Sequence, residues 1–202
     1  MRKLFFEVTL FDYHIDGEIV PFVINQRTYF RNAAKTNRLG VEAGLKCEPL
    51  EGIELTTNYT FTRFRYDDYT SIEFTPSGTT TARYTGNTVP SVPHHILNFI
   101  FNYEFEISDR LDGLLQWDCD YISSMYLNDS NSARSPGYFY GNSMAGVNAT
   151  FEPFNVVFYV GVNNIFDRRY VGFVNINDFY GRYYEAGEPR NIYGGLNLSF
   201  RY

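Results

Sequence analysis

The chain has 202 residues, with 17 Lys and Arg against 23 Asp and Glu and a net charge of −6. That balance excludes a nucleic-acid partner, which needs a basic surface to displace counterions. Aromatic residues make up 19% of the chain while mean hydropathy is only −0.30, so the rings are interleaved with polar residues rather than gathered in runs, and no apolar run is long enough for a spanning helix.

Period-two alternation predicts eight strands and no amphipathic helix. The first lies at about 4–15, with a change of phase near Phe11–Asp12 that reads as a bulge. In the second, Leu39, Val41, Ala43 and Leu45 alternate with Gly40, Glu42, Gly44 and Lys46. In the third, Ile53, Leu55, Thr57, Tyr59 and Phe61 alternate with Glu54, Thr56, Asn58 and Thr60. The fourth sets Leu97, Phe99, Phe101, Tyr103 and Phe105 against Asn98, Ile100, Asn102 and Glu104. The fifth sets Leu115, Trp117, Cys119 and Tyr121 against Gln116, Asp118 and Asp120. In the sixth, Phe139, Ala145, Val147, Ala149 and Phe151 oppose Tyr140, Asn142, Asn148 and Thr150. Val156, Phe158, Val160 and Val162 form one face of the seventh, and Leu196, Leu198, Phe200 and Tyr202 one face of the eighth.

The connections between these strands alternate in length. Three are short turns, at 48–52, 106–111 and 152–154, whereas those at about 16–27, 67–93, 127–137 and 167–190 are long loops rich in Gly, Pro, Asn, Asp, Ser and Thr. A soluble sheet with one face on a core has no reason to place every long loop at one end. An outer-membrane barrel does, with short periplasmic turns and long extracellular loops. The expected fold is therefore all-β: an antiparallel transmembrane β-barrel segment of about eight strands, with both chain ends on the short-turn side. The polar face suits water or a polar plug, and Tyr59, Phe61, Phe139, Phe151, Phe200 and Tyr202 mark the margins of the apolar face as interfacial girdles do.

Few residues carry chemistry. Cys47 and Cys119 lie too far apart for a disulfide framework or a metal spacing. Met1-Arg2-Lys3-Leu4-Phe5-Phe6 begins like a secretory signal, but Glu7, Asp12 and His14 interrupt it and no small-residue cleavage site follows. Asp12, His14 and Asp16 alternate and share one face near the outer rim, where polar filling is the expected role rather than metal binding. His94 and His95 point to opposite faces if already in a strand. No nucleophile motif, phosphate loop or paired-carboxylate pattern is present, so neither an enzyme nor a cofactor is expected. The loop at 167–190 carries Arg168, Arg169, Arg182 and Arg190 among Tyr170, Tyr180, Tyr183 and Tyr184. Arginine forks suit carboxylate or catecholate–iron anions, and tyrosine adds stacking and hydroxyl donors. Arg168, Arg169, Arg182, Tyr183, Tyr184 and Arg190 are the ligand-binding candidates; the competing role is a solvated loop held by its own Asp178, Glu185 and Glu188.

Several motifs, in order, resemble one family. Val160-Gly161-Val162-Asn163-Asn164-Ile165-Phe166-Asp167-Arg168-Arg169-Tyr170 is similar to the Asn-Leu-Phe-Asp-Lys-x-Tyr box of TonB-dependent outer-membrane receptors. Tyr29-Phe30-Arg31-Asn32-Ala33-Ala34-Lys35-Thr36, Gly40-Val41-Glu42, Tyr59-Thr60-Phe61-Thr62 and the segment from Gly86 to His95 resemble that family's upstream pattern, with Ala34 in place of its usual Gly. The resemblance implies a barrel of about 22 strands around an N-terminal plug, of which residues 1–202 read as the last eight strands, without plug or TonB box. It implies uptake of a ferric siderophore or similar chelate, with outer-membrane lipid, the remaining strands and the plug as partners, and the TonB complex acting only through that plug. It also implies that Phe200 and Tyr202 form the C-terminal signal read by the barrel-assembly machinery, and that Asn163, Asn164 and Asp167 are architectural. The alternative is a self-contained eight-stranded barrel with a structural or adhesion role. Gly40, Gly44, Gly146, Gly161 and Gly195 leave its inner face thin, which favours a wall against a plug.

Overall fold

The computed structural model describes residues 3–24, 27–75, 78–178 and 180–200. It contains β1 (Leu4–Ile24), β2 (Arg27–Leu50), β3 (Ile53–Thr75), β4 (Gly78–Arg83), β5 (His95–Ser108), β6 (Leu111–Ile122), β7 (Met125–Tyr126), β8 (Arg134–Ser135), β9 (Tyr138–Phe151), β10 (Phe154–Asn163), β11 (Val171–Val174), β12 (Tyr184–Ala186) and β13 (Asn191–Phe200). Eight of these, β1-β2-β3-β5-β6-β9-β10-β13, form one continuous antiparallel sheet in chain order, and β4 extends it by pairing with β3. Nearest-neighbour pairing follows from the short turns, which allow only antiparallel return. Among the described residues, β1 pairs only with β2 and β13 only with β10, so the sheet is open at both edges. A self-contained eight-stranded barrel would need a β1–β13 ladder, and none is present among the described residues.

The register puts the alternating residues of all eight strands onto two faces. One row runs Val8–Ala43–Tyr59–Leu97–Tyr121–Phe139, and another runs Phe105–Gly113–Val147–Phe158–Leu196. This face is apolar and uncovered: Phe6 is 71% exposed, Leu10 75% and Leu196 70%. The opposite face is polar and internally bonded. Asn58 Nδ2 donates to Asn98 Oδ1 at 3.3 Å, Asn98 Nδ2 to Asp120 Oδ1 at 2.9 Å, and Asn142 Nδ2 to Asp118 Oδ2 at 2.7 Å.

The hydrophobic side chains that are buried, among the described residues, are Val20, Ala34, Tyr66, Tyr69, Met125, Leu127 and Val171. All lie toward the long-loop end, and none lies in the apolar band. A soluble sandwich would bury that band against a second sheet. Here no second sheet covers it, and the antiparallel ladders pair the backbone between neighbouring strands.

Three sequence expectations are corrected. The expected loops at 16–27 and 67–93 are mostly strand: β1, β2 and β3 are 21, 24 and 23 residues long, and their ladders reach Ile24↔Arg27 and Thr75↔Gly78. About 9–11 residues suffice to cross the hydrocarbon, so these hairpins rise well beyond it. There the outward face turns polar while the inner face mixes charged side chains with the buried Val20, Ala34, Tyr66 and Tyr69, and the simple alternation disappears. The loops at 127–137 and 167–190 likewise contain the small hairpins β7–β8 and β11–β12.

The second correction concerns the bulge. Register is unbroken through Leu10↔Val41, Phe11↔Gly40 and Asp12↔Leu39, and shifts instead around Glu18, beside Gly17 at φ 80°. The phase change at Phe11–Asp12 marks the rim, where the outward face turns polar and the rings of Phe11 and Tyr13 turn inward and stack at 5.6 Å.

Third, the inner glycines do not leave the face thin. The rings of Phe11, Tyr193 and Tyr159 lie over Gly40, Gly161 and Gly195, where a Cβ would collide with them. A cross-strand ring over a glycine restores packing that a missing side chain would forfeit.

The faces can be tested at one depth. In the assembled barrel, Phe158→Arg should cost about 2–4 kcal/mol near the midplane, and Val157→Arg, on the polar face, distinctly less. Reversible unfolding in lipid vesicles measures both; equal losses would refute the assignment.

Candidate ligand-binding surface

The long-loop end is a single bonded cluster. On the inner face of the projecting hairpins, the rings of Tyr66 and Tyr69 meet at 4.7 Å, and Tyr84 packs on Tyr69 at 5.6 Å. Val20, Ala34 and Val89 complete this group. Glu18 is held there by Arg38 Nη2 at 2.6 Å and by Thr36 Oγ1 at 3.0 Å, and the Arg38 guanidinium lies 5.3 Å over the Phe64 ring.

Asp129, only 4% exposed, joins this cluster to three connections. Its carboxylate accepts from Tyr66 Oη at 2.7 Å and from Asn177 Nδ2 at 2.8 Å. Its backbone N–H donates to Asn177 Oδ1 at 2.9 Å, and its carbonyl accepts from Asn87 Nδ2 at 2.7 Å. Asn131 adds a reciprocal pair with the backbone of Thr88, both at 2.8 Å. Segments after β4 and between β11 and β12 are thus fixed to the Asp129–Asn131 turn between β7 and β8, the latter through the Asp129 carboxylate. Burial and the adjacent Asp129 charge push the hydroxyls of Tyr66 and Tyr69 well above the ordinary tyrosine range.

The Asn163–Asp167 segment is a backbone device, in keeping with the architectural role expected for it. Buried Asn164, at φ 50°, donates from Nδ2 to the carbonyls of Arg168 (2.8 Å) and Glu188 (3.1 Å), and its Oδ1 accepts from the Arg168 N–H at 2.9 Å. Asn163 Nδ2 donates to Asn191 Oδ1 at 3.0 Å, closing the β10–β13 ladder. Tyr170, leaving this turn, stacks on Tyr140 at 4.7 Å with the rings 5° from parallel.

The six ligand-binding candidates fall into two groups. Arg168, Arg169 and Arg190 lie where the connection leaves β10 and returns to β13; Arg190 reaches Asp167 at 3.3 Å, with both side chains more than half exposed. Arg182, Tyr183 and Tyr184 belong to the β11–β12 hairpin. The Arg182 guanidinium lies 5.2 Å over the Tyr180 ring, and Tyr183 Oη accepts from Asn128 Nδ2 at 3.5 Å. Tyr184 is exposed on β12. Of the assembly-signal pair, Phe200 packs against Phe154 at 5.4 Å, and Tyr202 lies outside the described residues.

The histidines go to separate partners. His14 sits between Asp12 (3.9 Å) and Asp67 (3.6 Å), while Asp16 is taken by Lys35 at 2.9 Å. No group of three His, Cys, Asp or Glu that could hold a metal occurs among the described residues. His94 Nδ1 is 2.6 Å from the Thr62 carbonyl, and His95 Nδ1 is 2.9 Å from Tyr59 Oη. Sequence reasoning missed Tyr66, Asn87, Asp129, Asn131 and Asn177. The run Asn128-Asp129-Ser130-Asn131 carries a turn signal but nothing that tells a buried carboxylate from a solvated one.

An open antiparallel wall, apolar outside, polar inside and crowned by bonded hairpins, defines an outer-membrane β-barrel class of architecture. The family model described as TonB dependent receptor-like, beta-barrel matches residues 2–165, and the chain belongs to that family, one of transport receptors. Solved structures of similar fold include the siderophore receptor PiuA from Acinetobacter baumannii (20% identity, TM-score 0.74, covering 97% of this chain and 26% of that one). The ferric yersiniabactin uptake receptor FyuA from Yersinia pestis is 23% identical, with TM-score 0.69 over 96% of this chain and 27% of that one. The ferric citrate transporter FecA in its unliganded form is 20% identical, with TM-score 0.72 over 97% and 29%. The chain therefore spans about a quarter of the length of the receptors whose fold it shares.

Removing the Asp129 carboxylate should loosen the whole crown. Asp129→Ala leaves the Tyr66 hydroxyl and the Asn177 amide without their acceptor, at a cost of about 1–3 kcal/mol. Faster protease nicking in all three connections is the expected readout. Tyr66 should also ionise at lower pH than in the parent, though still above the ordinary tyrosine value because burial persists. A raised tyrosine pKa contributes stability below the ordinary value, and that contribution disappears as pH rises through the folded one. Comparing protease nicking in the parent, the alanine variant and Tyr66→Phe checks the loosening; unchanged nicking in both variants would refute the node.

Proposed function

We propose that residues 1–202 form the C-terminal part of the barrel wall and the outer crown of a TonB-dependent receptor that imports a ferric siderophore or similar ferric chelate across the outer membrane. The observation that carries the reading is the wall itself: an apolar uncovered face, a polar bonded face and two unpaired edges. In hydrocarbon each unpaired backbone group costs several kcal/mol, so β1 and β13 call for further strands of the same receptor. The polar face fits a plug, through which the TonB complex would act. The barrel-assembly machinery would read Phe200 and Tyr202. Membership of the family and similarity to receptors named for siderophores and ferric citrate support the ligand class.

Ligand contact is assigned to Arg168, Arg169, Arg182 and Arg190 with Tyr183 and Tyr184. Of these arginines only Arg190 forms an ion pair among the described residues, and that one is exposed. Guanidinium groups held this way keep their forks available to carboxylate or catecholate oxygens.

Two experiments test this reading. Thr80→Cys and Glu185→Cys should react with an impermeant maleimide on intact cells, and Glu51→Cys only after the outer membrane is opened; the reverse pattern would refute the topology. In the assembled receptor, Arg168→Ser with Arg182→Ser should weaken binding of ferric citrate or of a ferric catecholate by about ten-fold or more. Unchanged affinity for both chelates would remove these arginines from the site.

A further inference from the structure

A second basic cluster faces the other way. Arg63 and Arg65 follow Tyr59 and Phe61 at alternate positions of β3, so they share the outward face and stand directly above the aromatic margin. With Arg134, His94, His95, Ser123 and Ser124 they line a recess of about 480 Å³ floored by Phe61 and Tyr121. No carboxylate lines it, in a chain with 23 acidic residues. Arg63, Arg65 and Arg134 form no ion pair among the described residues. Asp12 and Asp67, on the same face, lie 3.9 and 3.6 Å from His14. Arg134 is braced rather than neutralised: its Nη2 donates to Ser124 Oγ at 2.6 Å, and its guanidinium lies 5.5 Å over the Tyr126 ring.

We propose that this recess is a binding site for the phosphorylated headgroup of a lipid in the outer leaflet. Its position selects the ligand. Below it the same face is apolar, from Phe61 and Tyr59 down through Leu97 and Phe99, with Leu97 exposed and the other three half-buried, which suits acyl chains. At the recess the face changes to guanidinium, imidazole and hydroxyl groups, which suit phosphate oxygens. A soluble phosphate would find the arginines but leave the apolar floor uncovered, whereas a phosphorylated glycolipid meets both. The crown arginines proposed to contact chelate, Arg168, Arg169, Arg182 and Arg190, are a separate set, so lipid binding and chelate binding are separable by mutation.

The proposal rests on the outer-membrane reading above. The test uses the receptor assembly purified from outer membranes and placed in phosphatidylcholine nanodiscs. The probe is a small fraction of diphosphorylated, acylated glucosamine disaccharide or its dephosphorylated counterpart. The parent should retain the phosphorylated lipid and not the dephosphorylated one. Arg63→Ser, Arg65→Ser and Arg134→Ser combined should lower retention about ten-fold or more, with chelate affinity unchanged. The corresponding triple Lys variant, which keeps the charge, should restore most of it. Equal retention by the triple Ser variant, equal retention of the dephosphorylated lipid, or displacement by inorganic phosphate as readily as by the glycolipid would each overturn the site. A parent chain without a heat-dependent shift in electrophoretic mobility would overturn the membrane reading, and this site with it.

Discussion

Backbone hydrogen bonding between neighbouring strands governs this structure. Each strand that crosses hydrocarbon must give its N–H and C=O groups to neighbours on both sides. The sheet meets that demand without interruption from β1 to β13, and every long neighbour pair is antiparallel. Among the described residues, β1 and β13 at the two outer edges are paired on one side alone. Side-chain placement follows from it, because a pleated ladder sends alternate residues to opposite faces. Leu, Val and Phe can therefore cover one face while Asn, Asp and Thr bond across the other, as Asn58, Asn98 and Asp120 do.

This division explains what was legible in the sequence. Where one face of the sheet is apolar and the other polar, the strand leaves a period-two signature, and all eight long strands were found from it. Beyond the rim the outward face is polar and the inner face mixes Glu18, Thr36 and Arg38 with Tyr66 and Tyr69, so the signature vanishes. β1 continues through Asp16, Gly17 and Glu18 to Ile24, where turn-forming residues had indicated a loop. Gly17 is a bulge residue in a hairpin that continues, held by Lys35 on Asp16 and Arg38 on Glu18. Composition alone cannot separate such a strand from a solvated loop, since polar and turn-forming residues interrupt both.

The site was legible in a similarly uneven way. Asn164 and Asp167 announced themselves because a short amide or carboxylate at φ near 50° is one of the few side chains that tolerates that backbone and bonds it locally. The Asp129 node was not legible, because its partners Tyr66, Asn87 and Asn177 come from segments far apart in the chain. The same applies to the outward arginines. Arg63 and Arg65 read as strand residues, and only the return of β7–β8 over the end of β6 brings Arg134 into their recess.

The node gives the crown a mechanical character. Tyr66 is part of β3 and therefore moves with the wall, whereas Asn177 is at the tip of β11–β12, the hairpin that carries Arg182, Tyr183 and Tyr184. Asp129 bonds to both, and Asn87 and Asn131 tie in the segment after β4. A displacement of the arginine-bearing hairpin must either carry the β7–β8 connection with it or break hydrogen bonds to a buried carboxylate. The second route costs more than a neutral surface contact would, because the charge has no ion-pair partner among the described residues and depends on its donors. The outer hairpins therefore move as a unit or hold as a unit.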